Sequence, residues 1–217
     1  MKWAWLRFAP WIDTRAKFVS SVPRGGRLLD LGSSDGNTLR HFAELRPDLV
    51  LASSDIAGSP ALYPPGTDFK RCDFNSDSLP WPDASFDAIT CMHVVEHLVN
   101  PGHILGEAAR VLKPGGRIYI ETPHPKSLDM KSAVGPGTEH VTVNFFDDST
   151  HTQVVTVSQI VDEASKVGLT VIDSGASRNW VFAASFPFLY VVRNKTRSRY
   201  VAQLHWTGWS AFAIAAR

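Results

Sequence analysis

Short apolar runs alternate with helical patterns between residues 27 and 122, and this alternation constrains the fold more than any other feature. The first unit pairs an apolar run at 27–31 with a helical pattern at 37–45. Further strand patterns lie at 49–52, 67–70, 86–91, 117–121 and 169–172, and further helical patterns at 102–112 and 156–167. Strands that are separated by helices pair in parallel through crossovers, so the sequence predicts an α/β protein with an open sheet.

The last third of the chain is less regular. Residues 178–205 form an insertion that is apolar first and basic later. Its apolar run at 180–192 is shorter than the ~18–20 residues of a membrane helix and contains Pro187, so we expect a buried strand or core segment. The basic run at 193–199 is predicted to be a solvated face, with an acidic substrate, a lipid surface or RNA as alternatives. Residues 209–216 alternate in polarity and predict a last edge strand.

Charge and cysteine content exclude several classes of protein. The 217 residues include 22 Lys and Arg against 21 Asp and Glu, a net charge of +1, which does not suit a polycation that neutralises many phosphates. No nucleic-acid partner is therefore expected. The two cysteines, Cys72 and Cys91, match no zinc spacing and cannot build a disulfide scaffold. No signal sequence or membrane segment is evident, and a reduced, cytoplasmic setting is expected.

A glycine-containing turn follows the first predicted strand, and acidic residues follow the next two. The segment 28–36 reads LLDLGSSDG, in which Gly32 and Gly36 allow backbone to approach a ligand. Asp55 comes 19 residues after Gly36, where an acid can accept both hydroxyls of an adenosine ribose. Asp73 closes the third predicted strand. Ligands of open α/β sheets bind beyond the carboxyl ends of the strands, so these acids are expected to share one site.

The turn does not match the common nucleotide-binding motifs. It lacks the G-x-G-x-x-G pattern of dinucleotide-binding proteins and the Gly-Lys-Ser/Thr of a phosphate-binding loop. Short-chain dehydrogenases need a Tyr followed four residues later by Lys. None of the four tyrosines has a Lys there: Tyr63, Tyr119, Tyr190 and Tyr200.

Several motifs in order resemble the class I S-adenosylmethionine-dependent methyltransferases, specifically the type 11-like family. The family's first motif is similar to the turn through Asp30, Gly32 and Gly36, although Ser34 replaces a glycine. The later segments that resemble the family are LPWPDASFDAIT at 79–90, HVVEHL at 93–98 and RVLKPGGR at 110–117. The resemblance covers residues 27–125 and implies a Rossmann-like sheet of seven strands, mostly parallel, with helices on both faces and the last strand antiparallel.

The resemblance also implies the cofactor and its residues. S-adenosylmethionine carries a sulfonium cation and no phosphate, which suits a few acids better than a basic cradle. The cofactor-binding residues implied are Asp30, Gly32, Ser34, Gly36, Asp55, Ile56, Asp73, Phe74, Met92 and His93. For Asp30, direct contact with the methionine part and a purely structural role in the turn both stay open.

Candidate catalytic residues lie near the ends of the fourth and fifth strands and in the loop beyond. An oxygen acceptor needs a general base, commonly His or a carboxylate, and the candidates are His93, His124 and His151. The segment 144–151, NFFDDSTH, resembles a segment of some methyltransferase domains linked to bacterial cell-surface glycan or lipid synthesis. A structural role for His151, packed under a capped turn, is the alternative.

Metal binding is not predicted. His140, Asp147, Asp148 and His151 are ligand types, but no tight ligand spacing links them. Glu96 and His97 lie in the predicted short helix and are interpreted as structural.

These observations predict one methyltransferase domain over residues 1–217. Residues 1–24 would form an N-terminal lid or helix, 25–125 the cofactor-binding core and 126–217 the acceptor side. The predicted reaction is methyl transfer from S-adenosylmethionine to a small-molecule, sugar or lipid-type acceptor, favouring oxygen. The alternatives are an inactive methyltransferase-like subunit that binds the cofactor, and a nucleotide-dependent oxidoreductase. A homodimer is a further possibility.

Overall fold

The computed structural model describes residues 3–132, 143–192 and 197–217. The strands of this part of the chain are β1 (Arg27–Leu31), β2 (Val50–Asp55), β3 (Asp68–Arg71), β4 (Phe86–Met92), β5 (Leu112–Pro123), β6 (Thr170–Ser177) and β7 (Ser210–Ala216). The α-helices are α1 (Thr14–Ser20), α2 (Asn37–Leu45), α3 (Pro101–Val111), α4 (Val157–Lys166), α5 (Trp180–Val192) and α6 (Arg197–Thr207). Short 3-10 helices lie at Trp3–Phe8, Pro10–Ile12, Pro60–Leu62, Val95–His97, Pro125–Asp129 and Phe145–Asp147.

The strands form one sheet in the order β3-β2-β1-β4-β5-β7-β6. The pairs from β3 to β5 are all parallel, and β7 is antiparallel to both of its neighbours. The predicted sheet of seven mostly parallel strands with an antiparallel last strand is therefore confirmed. The chain moves outward from β1 in one direction through β3 and then crosses to β4 on the other side. In open α/β sheets ligands bind where the strand order changes direction in this way, which here is at the carboxyl ends of β1 and β4.

Helices cover both faces of the sheet because successive strand residues point to opposite sides. Leu28 packs with Phe18 of α1 and Phe42 of α2 in one apolar cluster. Leu29, the next residue, packs in the other cluster, which includes residues of α3 and α4 such as Ile104. The strand β1 is thus buried from both sides, as expected for a central parallel strand.

Two predictions for the last third of the chain are wrong. Residues 180–192 form the exposed helix α5, in which only Ala183 is buried, and α5 lies against α6. A run of 13 apolar residues suits a helix better than a strand, which usually has 4–8 residues, so its length was the better guide. In addition, β7 lies between β5 and β6, so β6 rather than β7 is the edge strand.

The N-terminal segment lies against α2. The indole of Trp3 stacks on His41, with ring centroids 5.1 Å apart, and Leu6 is fully buried. In contrast, Trp5, Phe8 and Trp11 are exposed. In the described residues, no helix is long and apolar enough to cross a membrane. His140 and the part of the basic run at 193–196 lie outside the described residues.

Candidate functional site

The turn between β1 and α2 is held by backbone conformations that favour glycine. Gly32 and Gly36 have φ values of +80° and +73°, and Ser34 between them has φ +43°. A Cβ on Gly32 would lie 2.3 Å from Cγ2 of Val94, and one on Gly36 would lie 2.3 Å from a ring carbon of Tyr63. Both glycines are therefore required by close packing as well as by conformation.

Asp55 ends β2 beside this turn. Its Oδ2 accepts a hydrogen bond from the backbone N–H of Ser34, and its Oδ1 accepts one from Ala57, both at 2.8 Å. A carboxylate has about four lone-pair sites, so capacity for two further donors remains. Ile56, the next residue, is exposed and offers an apolar surface at the same strand end.

Asp30 is buried at the carboxyl end of β1. Its Oδ1 accepts a hydrogen bond from the Thr90 hydroxyl at 2.6 Å, whereas Oδ2 has no partner in the described chain. Burial raises the pKa of Asp30 to about 7, helped by the nearby charge of Asp55 and opposed by the Thr90 hydrogen bond. An unpartnered carboxylate oxygen in this position suits a cationic group.

Asp73 and Phe74 lie beyond β3. The strand ends at Arg71, so Asp73 follows it by two residues rather than closing it. Oδ1 of Asp73 accepts from the backbone N–H of Asn75 at 2.9 Å. Phe74 is buried in the apolar core. The structure therefore places Asp73, but not the ring of Phe74, at the surface of this sheet edge.

His93 follows Met92, the last residue of β4, and has an unusual φ of +55°. Its Nδ1 lies 3.2 Å from Oε1 of Glu96, and its Nε2 lies 3.4 Å from Oε1 of Glu121. Burial alone would lower the pKa of His93, but hydrogen bonds to Glu121 and Glu96 outweigh burial and raise the pKa to about 9. The ring also stacks on Trp209, with centroids 5.2 Å apart.

Glu121 links this histidine to the N-terminal helix. It is fully buried at the carboxyl end of β5. Its two oxygens accept hydrogen bonds from Nε and Nη2 of Arg15 on α1, and Oε2 also accepts one from the hydroxyl of Tyr119 at 2.6 Å. Burial would raise the pKa of Glu121, but the charge and hydrogen bonds of Arg15 hold it well below its usual range. Sequence reasoning missed this pair, because nothing local connects residues that are 106 positions apart.

A cavity of about 210 Å³ adjoins His93 at the ends of β4 and β5. Its lining includes His93, His97, Pro123, Asp148, His151 and Trp209. The structure thus brings together two of the three predicted catalytic histidines. His124 does not line the cavity, and its Nδ1 instead accepts from the backbone N–H of Lys126 at 3.1 Å. Burial, with the charge of Lys126, lowers the pKa of His124.

His151 is held by its own loop. Its Nδ1 lies 2.6 Å from the carbonyl oxygen of Phe145, and its ring lies against the rings of Phe145 and His97. His97 was interpreted as structural, yet it lines the cavity. The signal that could have found it is the HVVEHL segment itself, in which His93 and His97 are four residues apart around a short helical turn.

A larger, open cavity of about 630 Å³ lies elsewhere, between α1 and the β6–β7 edge of the sheet. Its lining includes Thr14, Arg117 and Phe212 and none of the predicted site residues. The carboxyl-end crevice is therefore the candidate site, because the predicted residues meet there.

The sheet order and the strand-end acids define a class I methyltransferase fold. A family model described as a methyltransferase domain matches residues 3–174, which is most of the chain. This chain belongs to that methyltransferase family. Its cofactor is S-adenosylmethionine, as in the class I family as a whole.

Relatives and solved structures agree with this assignment. The chain is 30% identical over 117 residues to a 27-O-demethylrifamycin SV methyltransferase of Amycolatopsis mediterranei, covering 48% of this chain and 43% of that protein. It is 33% identical over 132 residues to a demethylmenaquinone methyltransferase of Tropheryma whipplei, covering 57% and 52%. The chain thus spans about half the length of these curated relatives. A solved S-adenosylmethionine-dependent methyltransferase from Mesorhizobium loti shares the fold, with a TM-score of 0.69, 15% identity and coverage of 97% and 98%.

Proposed function

We propose that this chain transfers a methyl group from S-adenosylmethionine to a hydroxyl oxygen of a small acceptor. The observation that carries the proposal is that two features lie next to each other at the carboxyl ends of the strands. Acids with free hydrogen-bonding capacity lie at the ends of β1 and β2, and the histidine-lined cavity lies at the ends of β4 and β5.

The residues at the ends of β1 and β2 fit the cofactor. The unpartnered Oδ2 of Asp30 suits the positively charged methionine part, and the two remaining lone-pair sites of Asp55 suit the ribose hydroxyls. Gly32, Ser34 and Gly36 form the turn between these acids. The other residues proposed to line the cofactor are Ile56, Asp73, Met92 and His93, whereas the ring of Phe74, also predicted there, is buried in the core.

When bound, S-adenosylmethionine supplies a methyl group on a sulfonium, which is a good leaving group. The chain's own contribution is then to position the acceptor and to receive the proton of its hydroxyl. His151 is the proposed proton acceptor or holder of the acceptor oxygen, because its Nδ1 is engaged by Phe145 while its ring lines the cavity. His93 borders the same cavity from the end of β4.

An acceptor with an apolar part is favoured by the surroundings. Phe146 is exposed in the loop that carries His151, and Trp209 lines the cavity. The name of the Amycolatopsis relative describes O-methylation of a rifamycin, which supports oxygen as the target.

The test is methyl transfer from methyl-labelled S-adenosylmethionine to a panel of phenols, catechols, sugars and lipid alcohols, with the product located by NMR. We expect label on an oxygen atom of at least one acceptor. His151→Gln is expected to lower kcat, whereas His103→Gln, on α3 and outside the cavity, is the matched control.

Two outcomes would contradict the proposal. Label that appears only on nitrogen or carbon would exclude oxygen transfer as the activity. Binding of S-adenosylhomocysteine without product from any acceptor would instead favour a subunit that binds the cofactor without catalysis.

A further inference from the structure

Three side chains at the acceptor cavity converge in a way that the methyl-transfer site alone does not require. Glu96, His97 and His151 each offer one ligand atom, and these atoms all lie within 4.8 Å of one another. We propose that these three residues bind a divalent first-row transition metal ion.

Glu96 supplies the strongest argument. It is fully buried, and its Oε1 is paired with Nδ1 of His93 at 3.2 Å. Its Oε2 is buried without a hydrogen-bond partner among the described residues. Leaving a charged oxygen buried and unpaired is costly, and a metal ion would satisfy it.

The hydrogen bonds of His97 leave its Nε2 free to bind a metal. The hydroxyl of Thr150 donates its only proton to Oδ1 of Asp148 at 2.5 Å. That hydroxyl must therefore accept from Nδ1 of His97, which lies 3.0 Å away. With the proton on Nδ1, the lone pair of His97 is on Nε2, where a metal can bind.

His151 is fixed in the same way. Its Nδ1 lies 2.6 Å from the carbonyl oxygen of Phe145, and a carbonyl can only accept, so Nδ1 carries the proton. The lone pair is again on Nε2, and the nearest carboxylate, that of Asp148, lies 4.0 Å from Nε2, too far for a hydrogen bond. Outer hydrogen bonds of this kind typically orient histidines that ligate metals.

The backbone holds these residues together across 54 positions of sequence. The backbone N–H groups of Thr152 and Gln153 both donate to the carbonyl oxygen of Glu96, at 2.9 and 3.3 Å. Metal–ligand distances of about 2.0–2.2 Å require ligand atoms roughly 3–3.5 Å apart, so the side chains need to close by about 1–2 Å. The loop and the turn are already joined by these backbone hydrogen bonds, so the proposal requires this movement of the side chains only.

The ligand types select the metal. Two imidazoles and one carboxylate suit zinc, iron, cobalt or manganese better than calcium or magnesium, which prefer oxygen ligands throughout. Three protein ligands also leave coordination positions open, and two of the three, His97 and His151, line the cavity shared with Trp209. The open positions would take water or an acceptor oxygen. With its Nε2 on the metal, His151 would hold the acceptor oxygen through the ion and would not take up its proton; only this last assignment rests on the proposed function.

The test uses the full chain after treatment with a chelator and removal of that chelator. Co²⁺ is titrated by calorimetry while its visible absorption is recorded. We expect one Co²⁺ per chain with micromolar or tighter affinity. His97→Gln and His151→Gln should each weaken binding by about tenfold or more. His103→Gln should leave it unchanged, and S-adenosylhomocysteine affinity should be retained in all three variants as a check of folding.

A second measurement does not depend on variants. In the Co²⁺-loaded wild type, the protons on Nδ1 of His97 and His151 should give two NMR signals that are strongly shifted by the metal. Absence of saturable binding, absence of both signals, or wild-type Co²⁺ affinity in the His97 and His151 variants overturns the site. Loss of methyl transfer with intact Co²⁺ binding contradicts only the proposed function. Transfer by a wild-type chain that binds no Co²⁺ contradicts only the metal site.

Discussion

Asp55 already uses two lone pairs for backbone N–H groups, so its carboxylate is oriented before any ligand arrives. Asp55→Asn keeps the shape of the side chain but removes its charge and one acceptor oxygen. We expect it to weaken S-adenosylhomocysteine binding by about 10- to 100-fold, the loss of a charged hydrogen bond worth roughly 1.5–3 kcal/mol. Calorimetry measures this, with the exposed Asp83→Asn as the control. Equal affinities of the two variants would contradict the role of Asp55.

If Asp30 binds the cationic part of the cofactor as proposed, cofactor binding is expected to depend on pH. Its pKa in the free chain is raised to about 7, and a bound cation favours the ionised form. The affinity for S-adenosylmethionine should therefore fall as the pH decreases below about 7, by up to tenfold per pH unit. Asp30→Asn can still accept from Thr90 but cannot ionise, so its affinity should lose this dependence. Parallel pH profiles for the wild type and the variant would exclude Asp30 as the group responsible.

At the scale of single residues, the sequence predicts the positions of residues in a local motif better than contacts between residues that are distant in the chain. Asp30 and Asp55 lie at the strand ends because a strand and its following turn are read from neighbouring residues. Arg15 and Glu121 meet only because α1 packs on the sheet near β5, and neither residue stands in a recognisable pattern. The same reason explains why His97 was interpreted as structural: its neighbour His151 is 54 positions away.

Among the elements, the turn between β1 and α2 depends on the absence of a side chain at Gly32. Gly32→Ala places a Cβ 2.3 Å from Val94, at a φ of +80°. Gly66 is a matched control because its φ is +82° and nothing lies within 4 Å of a Cβ there. Gly66→Ala should lower the free energy of unfolding by about 1–2 kcal/mol from strain alone. Gly32→Ala should cost roughly 1–3 kcal/mol more from the collision.

Urea unfolding of both variants measures the difference. Equal losses of stability would mean that Val94 moves aside freely and that the turn is looser than the structure shows.

The helix α5 offers a second test, since its sequence suggested burial. Val191 is 83% exposed, whereas Ala183 is 3% exposed on the same helix. Val191→Asp should change the free energy of unfolding by less than about 0.5 kcal/mol. Ala183→Asp should destabilise by at least about 2 kcal/mol, because the charge is buried. A large effect of Val191→Asp on urea unfolding would mean that this segment is buried in the core.

For the whole molecule, the sheet class and the parallel pairing of β1 to β5 follow from the sequence because alternating strands and helices admit few topologies. The antiparallel direction of β7 was implied only by the family resemblance. The position of β7 between β5 and β6 cannot be predicted from the sequence, because the residues of a strand do not indicate which strands it lies between. The packing of α5 against α6 is equally hidden, because a helix that is apolar all round has no periodicity to indicate a face.

The cofactor crevice and the acceptor cavity are predicted to be two halves of one site. The most direct measurement is a crystal structure of the chain with bound S-adenosylhomocysteine. The account predicts ribose hydroxyls on the carboxylate of Asp55, the amino group near Asp30 and the sulfur atom directed towards the cavity lined by His93 and His151. Binding in the larger cavity between α1 and the β6–β7 edge, or a sulfur atom directed away from those histidines, would contradict it.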